Sequence, residues 1–161
     1  MVMARSDFDS FCRREYPSVY AAARALTGDR ETALDVTQEA FARAYARWAR
    51  LGRASWAGGW VMTTALNLCR RSLRRRPPGV APQEAPGRES KVDARLDLAA
   101  ALRQLPARQR EAVVLHYLVD LPVAGVAEIM KTSEGTVKSH LARGRHSLAA
   151  RLGPVEKEGS R

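Results

Sequence analysis

Leu121-Pro122-Val123-Ala124-Gly125-Val126-Ala127-Glu128-Ile129-Met130-Lys131-Thr132-Ser133-Glu134-Gly135-Thr136-Val137-Lys138-Ser139-His140-Leu141 reads as helix, tight turn, helix. Pro122 suits the first turn of a helix, where its missing N–H costs nothing. Val123, Val126, Ala127 and Met130 recur at helical spacing and make a short apolar face. Lys131-Thr132-Ser133 breaks that period. Ser133 is placed to cap a second helix by accepting from the N–H of Thr136. On that helix Val137, Leu141, Leu148 and Leu152 fall within about 60° of one another at ~100° per residue. Gly144 lies on the same stripe, where a missing side chain permits close helix approach. The opposite sector carries Thr136, Ser139, Arg143 and His146, with Lys138 at its edge. One apolar face and one hydrogen-bonding, cationic face suit a helix that lies in a DNA major groove. An amphipathic hairpin in a helical bundle shares much of this pattern, so the rest of the chain has to decide.

The chain has 161 residues, room for one ordinary domain or two small ones. Hydrophobic residues make up 45%, enough for a core, while aromatics are only 6%. Ala, Leu and Arg dominate and β-branched runs are scarce, which favours helix. The formal net charge of +10 points to a polyanionic partner, nucleic acid ahead of a membrane surface. Of the 27 basic residues only Lys91, Lys131, Lys138 and Lys157 are lysines. Arginine forks bind phosphate and guanine bidentately, although a GC-rich genome imposes the same bias. Cys12 and Cys69 have no CxxC spacing, so neither a disulfide framework nor a zinc ribbon follows. His116, His140 and His146 lack partners at metal-ligand spacing. No metal and no cofactor is expected. The start has no apolar run of signal-peptide type, and no stretch approaches the ~20 apolar residues of a membrane span. The expectation is a cytoplasmic protein.

Residues 7–16 read as a short helix with Phe8, Phe11 and Cys12 toward a core. Pro17 opens a second helix through Val19, Tyr20 and Leu26, with Gly28 as its stop and Asp29 as the next cap. A longer helix over 30–50 places Leu34, Phe41, Tyr45 and Trp48 on one face, Asp35 and Glu39 on the other. Residues 51–59, with Gly52, Trp56, Gly58 and Gly59, read as a loop. The helix over 60–76 has a core face of Val61, Thr64, Ala65 and Leu68. A different sector collects Trp60, Thr63, Asn67, Arg70, Arg71 and Arg74. An aromatic followed by a polar and then a cationic stripe is how single-stranded bases and backbone are held, with stacking worth ~1–3 kcal/mol per base. A solvated helix end whose arginines complement the dipole is the plainer alternative. Pro77, Pro78, Pro82 and Pro86 with Gly79 and Gly87 cannot continue a helix and mark an extended linker. The predicted organisation is all-α. A helical domain over 5–76, a linker over 77–92, a helix-turn-helix domain over 93–152 and a tail over 153–161 follow in order. Within the second domain Pro106 starts a helix whose Val113, Val114, Tyr117 and Leu118 supply apolar contacts.

Both halves together resemble the extracytoplasmic-function (group IV) class of bacterial RNA polymerase sigma factors. Asp7-Phe8-Asp9-Ser10-Phe11, Tyr16-Pro17 and Leu26-Thr27-Gly28-Asp29 look like the opening of the family's region 2. Asp35-Val36-Thr37-Gln38-Glu39-Ala40-Phe41 matches its D-x-x-Q-E-x-F segment. The helix from Trp60 to Arg76 is similar to the one that melts the promoter and reads the minus-ten element. Leu105-Pro106-Ala107-Arg108-Gln109-Arg110-Glu111 and Glu134-Gly135-Thr136-Val137-Lys138-Ser139 look like region 4. The resemblance implies that Asp35, Gln38, Glu39 and Phe41 belong to the segment docking on the β′ clamp coiled coil of core RNA polymerase, which also contacts the chain through β. It implies minus-ten promoter DNA for Trp60, Thr63, Asn67, Arg70, Arg71 and Arg74. It implies minus-thirty-five DNA for Ser133, Glu134, Thr136, Lys138, Ser139, His140 and Arg143. An anti-sigma factor is a further partner known in the class. Gly125, Lys131 and His140 depart from its usual residues, as Gly is usual in the turn and Arg at position 140.

Two other classes compete. A response-regulator-type transcription factor shares the Glu134–Leu141 pattern but wants a βα receiver domain, and the N-terminal half shows no strand-like alternation. A metal-dependent nuclease could use Asp35 and Glu39 one turn apart, but no base or further ligand is evident. The expectation is therefore a non-enzymatic transcription factor.

Overall fold

The computed structural model describes residues 2–79 and 91–153, with side chains described over 5–79 and 97–153. Helix α1 spans Val2–Thr27 without interruption. The expected break at Pro17 does not occur. A proline removes one helix hydrogen bond and crowds the preceding turn. Pro17 is exposed, however, where a freed carbonyl can be hydrated, and the buried stripe of Phe11, Val19, Ala22, Ala23 and Leu26 continues past it. Packing on α2 and α4 holds the helix through the defect.

The end of α1 follows local chemistry. Gly28 takes a left-handed φ of 69° and its N–H bonds to Arg24 O at 3.0 Å. The Asp29 carboxylate then accepts from Thr32 N–H at 2.8 Å and caps α2, Arg30–Ala46. The Thr32 hydroxyl donates to the same carboxylate, and these two bonds, the hydroxyl's first, hold the Asp29 carboxyl below its ordinary pKa. The buried face of α2 is Ala33, Val36, Thr37, Ala40, Phe41 and Ala44. This corrects the expected face: Leu34 is half-buried and Tyr45 is 57% exposed. The small residues let α2 lie close to its neighbours, and Tyr45 is left at the rim, 5.0 Å from the Phe8 ring. A separate turn, α3 (Trp48–Leu51), sets Trp48 against Phe8 and Phe11.

Helix α4 spans Ala57–Arg75, so the expected loop over 51–59 shrinks and Gly58 and Gly59 are helical. A Cβ on Gly58 would stand 3.0 Å from the Glu15 carboxylate, so this glycine admits α1 to close range. Arg76, at the end of α4, donates to Thr27 O at 3.2 Å and ties it to the end of α1.

The second helical group contains α5 (Lys91–Gln104), α6 (Ala107–Val113), α7 (Val123–Met130) and α8 (Glu134–Leu152). Between α6 and α7 the chain winds as a π-helical turn, Val114–Leu118. Its wider spacing rotates Tyr117 and Leu118 outward, each to 52% exposure, which corrects the expectation that both join the core. Val113, Val114 and Leu115 remain buried. His116 Nδ1 donates to Leu121 O at 2.7 Å and closes the turn. Lys131 ends α7 in the left-handed region, φ 53°, and Ser133 Oγ accepts from Thr136 N–H at 3.1 Å to begin α8. Val137, Leu141 and Gly144 are buried as expected, whereas Leu152 is 41% exposed, so the apolar stripe fades in the last turn.

One buried apolar cluster joins both groups, from Phe11 through Leu66 to Leu115 and Leu141. α1 packs on the π-helical turn and α5, and α4 packs on α7. Among the described residues there is no strand. Most of the expected 77–92 linker and the expected tail past residue 153 lie outside the described residues.

Candidate nucleic-acid interface

Three surfaces carry the residues singled out by sequence. On α2, Asp35, Gln38 and Glu39 are exposed on a common side, while Phe41 is buried at 6% exposure between the rings of Phe11 and Tyr16. Glu39 accepts from Arg43 Nε at 2.7 Å, an exposed i,i+4 pair of little energetic weight. A shallow recess of about 340 Å³ lies beside these carboxylates, lined by Asp35, Val36, Glu39, Leu68, Arg71 and Arg75 among others. Only Phe41 of the four serves the core; the others are available to a partner.

Across Arg71 the surface changes sign. A groove of about 350 Å³ is lined by Arg43, Arg47, Trp60, Thr64, Asn67, Leu68, Arg71 and Arg74. It gathers Trp60, Asn67, Arg71 and Arg74 as the helical wheel implies. Arg47 also stands over the Trp60 ring at 5.7 Å, within cation–π range. A neighbouring recess of about 630 Å³ is lined by Arg47, Arg50, Leu51, Trp56 and Trp60, with Trp56 59% exposed. Flat aromatic faces beside guanidinium groups can stack a base and hold its phosphate. Arg43 and Arg47 go beyond the expected set. Thr64 and Leu68, expected on the core face of α4, are half-buried and line the groove, while Met62, Leu66 and Cys69 are buried with Val61 and Ala65. Arg43 on α2 and Arg47 at its C-cap are four residues apart, on the side of Glu39, and that spacing was the available signal.

Thr63 and Arg70 do not line this groove. The Thr63 hydroxyl donates to Gly59 O at 2.8 Å within its own helix. Arg70 turns toward the second helical group and forks onto Glu111, through Nε to Oε1 at 2.8 Å and Nη2 to Oε2 at 2.7 Å. Sequence gave no sign of this partner, 41 residues away.

On α8, Ser133, Glu134, Thr136, Lys138, Ser139 and Arg143 are all exposed within the first three turns. Ser133 and Thr136 hydroxyls also meet at 2.9 Å, so part of their capacity is spent on the cap. His140 is different. It is half-buried, and its Nδ1 is buried with no hydrogen-bond partner among the described residues. One edge of the ring is therefore turned inward beneath α8, and only the remainder reaches solvent. Close packing holds α8 in place: a Cβ on Gly144 would come within 2.7 Å of Val113 Cγ2.

Arg110 plays a structural part that the motif alone did not reveal. Its guanidinium donates to Leu102 O, Arg103 O and Leu105 O at 2.8–3.0 Å, satisfying the open carbonyls where α5 ends. Burial lowers its pKa. Among the described residues no group of three or more His, Cys, Asp or Glu is arranged to hold a metal ion.

Comparison with known proteins follows the same division. The family model for Sigma-70 region 2 matches residues 11–77, and that for Sigma-70, region 4 matches residues 95–148. The chain is 31% identical to the ECF RNA polymerase sigma factor SigM of Mycobacterium tuberculosis, over 92% of this chain and 79% of SigM. It is also 31% identical to the ECF RNA polymerase sigma factor EcfG of Rhodopseudomonas palustris, over 84% of this chain and 80% of EcfG. Among solved structures, the sigma factor RpoE of Bartonella quintana, co-crystallised with the anti-sigma factor NepR, has a TM-score of 0.75 at 25% identity. That likeness covers 91% of this chain and 96% of RpoE. A response-regulator reading is not favoured, because the matches account for both halves of the chain.

Proposed function

The chain belongs to the extracytoplasmic-function sigma factors, and from that premise we propose how its three surfaces share the work. It is a sigma factor that directs promoter recognition and transcription initiation. In the proposed division Asp35, Gln38 and Glu39 dock on core RNA polymerase, at the β′ clamp coiled coil, with Phe41 as the buried support beneath them. The polymerase, not this chain, makes the phosphodiester bond, and the work takes place in the cytoplasm with β as a second contact.

The groove of Trp60, Asn67, Arg71 and Arg74, widened by Arg43 and Arg47, receives the separated minus-ten strand. Trp56 and Trp60 offer the faces for an unstacked base, and the arginines neutralise phosphate. Thr63 and Arg70 join this surface only with a change of rotamer or partner. On α8, Thr136, Lys138, Ser139 and Arg143 face the major groove of the minus-thirty-five element, where the first turns of such a helix reach base edges. Ser133 and Glu134 stand at its N-terminus. His140 contributes through its open edge, which lacks the fork that lets arginine hold guanine. An anti-sigma factor is proposed as a further partner.

The observation that carries this reading is the juxtaposition on one half of the molecule of an exposed acidic patch and an aromatic, arginine-lined groove. The test is a double substitution, Asp35→Arg with Glu39→Arg. Both side chains face solvent, so helicity and melting temperature should hold while competition for core polymerase falls by 100-fold or more. Unchanged competition would show that the docking segment lies elsewhere.

A further inference from the structure

The two halves of the molecule are joined by a charged fork set in an apolar seam. Glu111 has a side-chain exposure of 5% and Arg70 of 27%. Two parallel charge-assisted bonds in such surroundings are directional and strong. The pairing raises the pKa of Arg70, hydrogen bonding to Glu111 being the leading cause. Glu111 is also fixed from its own side. Arg108 Nη1 reaches Oε2 at 3.2 Å while its Nη2 donates to Met130 O at 3.2 Å. On the α4 side, Asn67 Oδ1 accepts from Arg70 Nη1 at 3.3 Å. Leu26, Leu66, Cys69 and Leu73 close the seam against Ala107 and Arg110, leaving a crevice of about 10 Å³. Burial, and then the charge of Glu111, push the Cys69 thiol up to about 12.

This closed form cannot reach both promoter elements at once. Elements centred near minus ten and minus thirty-five are about 25 base pairs apart, roughly 85 Å at ~3.4 Å per pair. A compact chain of this length has a radius of gyration of roughly 15 Å. Its span is about half the required distance. We infer that the Arg70–Glu111 fork is a latch: in the free chain it holds the second helical group on the first and keeps Arg70 from nucleic acid. Promoter engagement then requires the fork to break. The inference rests on the proposed roles of α4 and α8 only for its consequence; the latch itself is a property of the free chain.

The test is a distance measurement in the full chain. Nitroxides are attached at Glu31→Cys and Ala149→Cys, both exposed positions, with Cys12→Ser removing the accessible native thiol. Double electron–electron resonance should give one short, narrow distance for the free chain. Arg70→Gln and Glu111→Gln should each raise the open-to-closed ratio by tenfold or more, adding a long component. Glu111→Gln also disturbs Arg108, so Arg70→Gln decides the matter if the former loses helicity. Binding to core polymerase should leave only the long distance. A broad, long distribution in the unsubstituted free chain would overturn the latch. So would an unchanged short distance in both folded variants, or a short distance that survives in the polymerase complex. Failure to form any complex would instead count against the docking reading, and the comparison of free variants would still decide the latch.

Discussion

Helices α4 and α8 are each 19 residues long, and each carries residues proposed to touch DNA. They treat those residues differently. α8 buries one narrow stripe, Val137, Leu141 and Gly144, and leaves Thr136, Lys138, Ser139 and Arg143 to solvent. α4 is packed on two sides, by α1 and α2 and again by α7. Its cations are therefore divided: Arg71 and Arg74 face the groove, and Arg70 is taken by Glu111. A helical wheel gives the angle of a side chain, but the surrounding elements decide what it meets. The more faces a helix buries, the less its polar sector can be treated as one surface.

The largest effect that would sharpen this contrast comes from the glycines. Gly144→Val forces a branched side chain onto Val113 and should destabilise the protein by about 1–3 kcal/mol. Gly59, inside α4, has nothing within 4 Å of where a Cβ would stand, so Gly59→Ala should stabilise, by about 0.5–1 kcal/mol. Thermal unfolding reads both, at roughly 2–4 °C per kcal/mol for a chain of this size. Equal effects at the two sites would mean that α8 is not held by close approach to α6.

The caps give a mid-sized effect with a pH signature. Asp29→Ala and Ser133→Ala should each cost about 1 kcal/mol near neutral pH. The Asp29 contribution should be specific to the ionised carboxylate. Its folded pKa is lowered, so that stability is present above the unfolded pKa and is lost as pH falls through the folded one. The gap between wild type and Asp29→Ala should therefore shrink in acid, while the Ser133→Ala gap has no titration of its own. Urea unfolding at neutral pH and near pH 3 makes the comparison, and a pH-independent Asp29 gap would contradict it.

The smallest effect separates the arginines of α4. With the free chain and a single-stranded oligonucleotide, Arg71→Ala and Arg74→Ala should each flatten the log-log salt slope by about 0.7. Arg70→Ala should not flatten it, because that guanidinium is already paired. Equal flattening by all three would erase the distinction between the two sides of α4.

Local chemistry was readable from sequence wherever one residue type solves one backbone problem. Gly28 and Asp29 mark the α1–α2 boundary, Ser133 opens α8, and Gly144 marks the α6–α8 contact, because caps and close approaches tolerate few alternatives. The exposed acids of α2 were also legible, since their charge and their place on the side opposite the buried stripe agree. Elsewhere the answer lay in tertiary packing. Pro17 was read as a break because propensity says so, but a stripe continuous on both sides keeps α1 whole. The α2 core face was misplaced because large residues were weighted over alanines, whereas close packing selected Ala33, Ala40 and Ala44. Tyr117 and Leu118 were assigned to the core on an α-helical period that the π-helical turn does not keep. Arg70 looked like its neighbours because its partner lies in the other half of the chain.

The most direct measurement is transcription by core RNA polymerase with and without this chain, with transcript 5′ ends mapped across a fragmented genomic template. The account predicts discrete start sites that appear only with the chain, each preceded by shared upstream elements at a fixed spacing. Start sites that stay unchanged on adding folded chain, with core polymerase active on a control sigma factor, would contradict it.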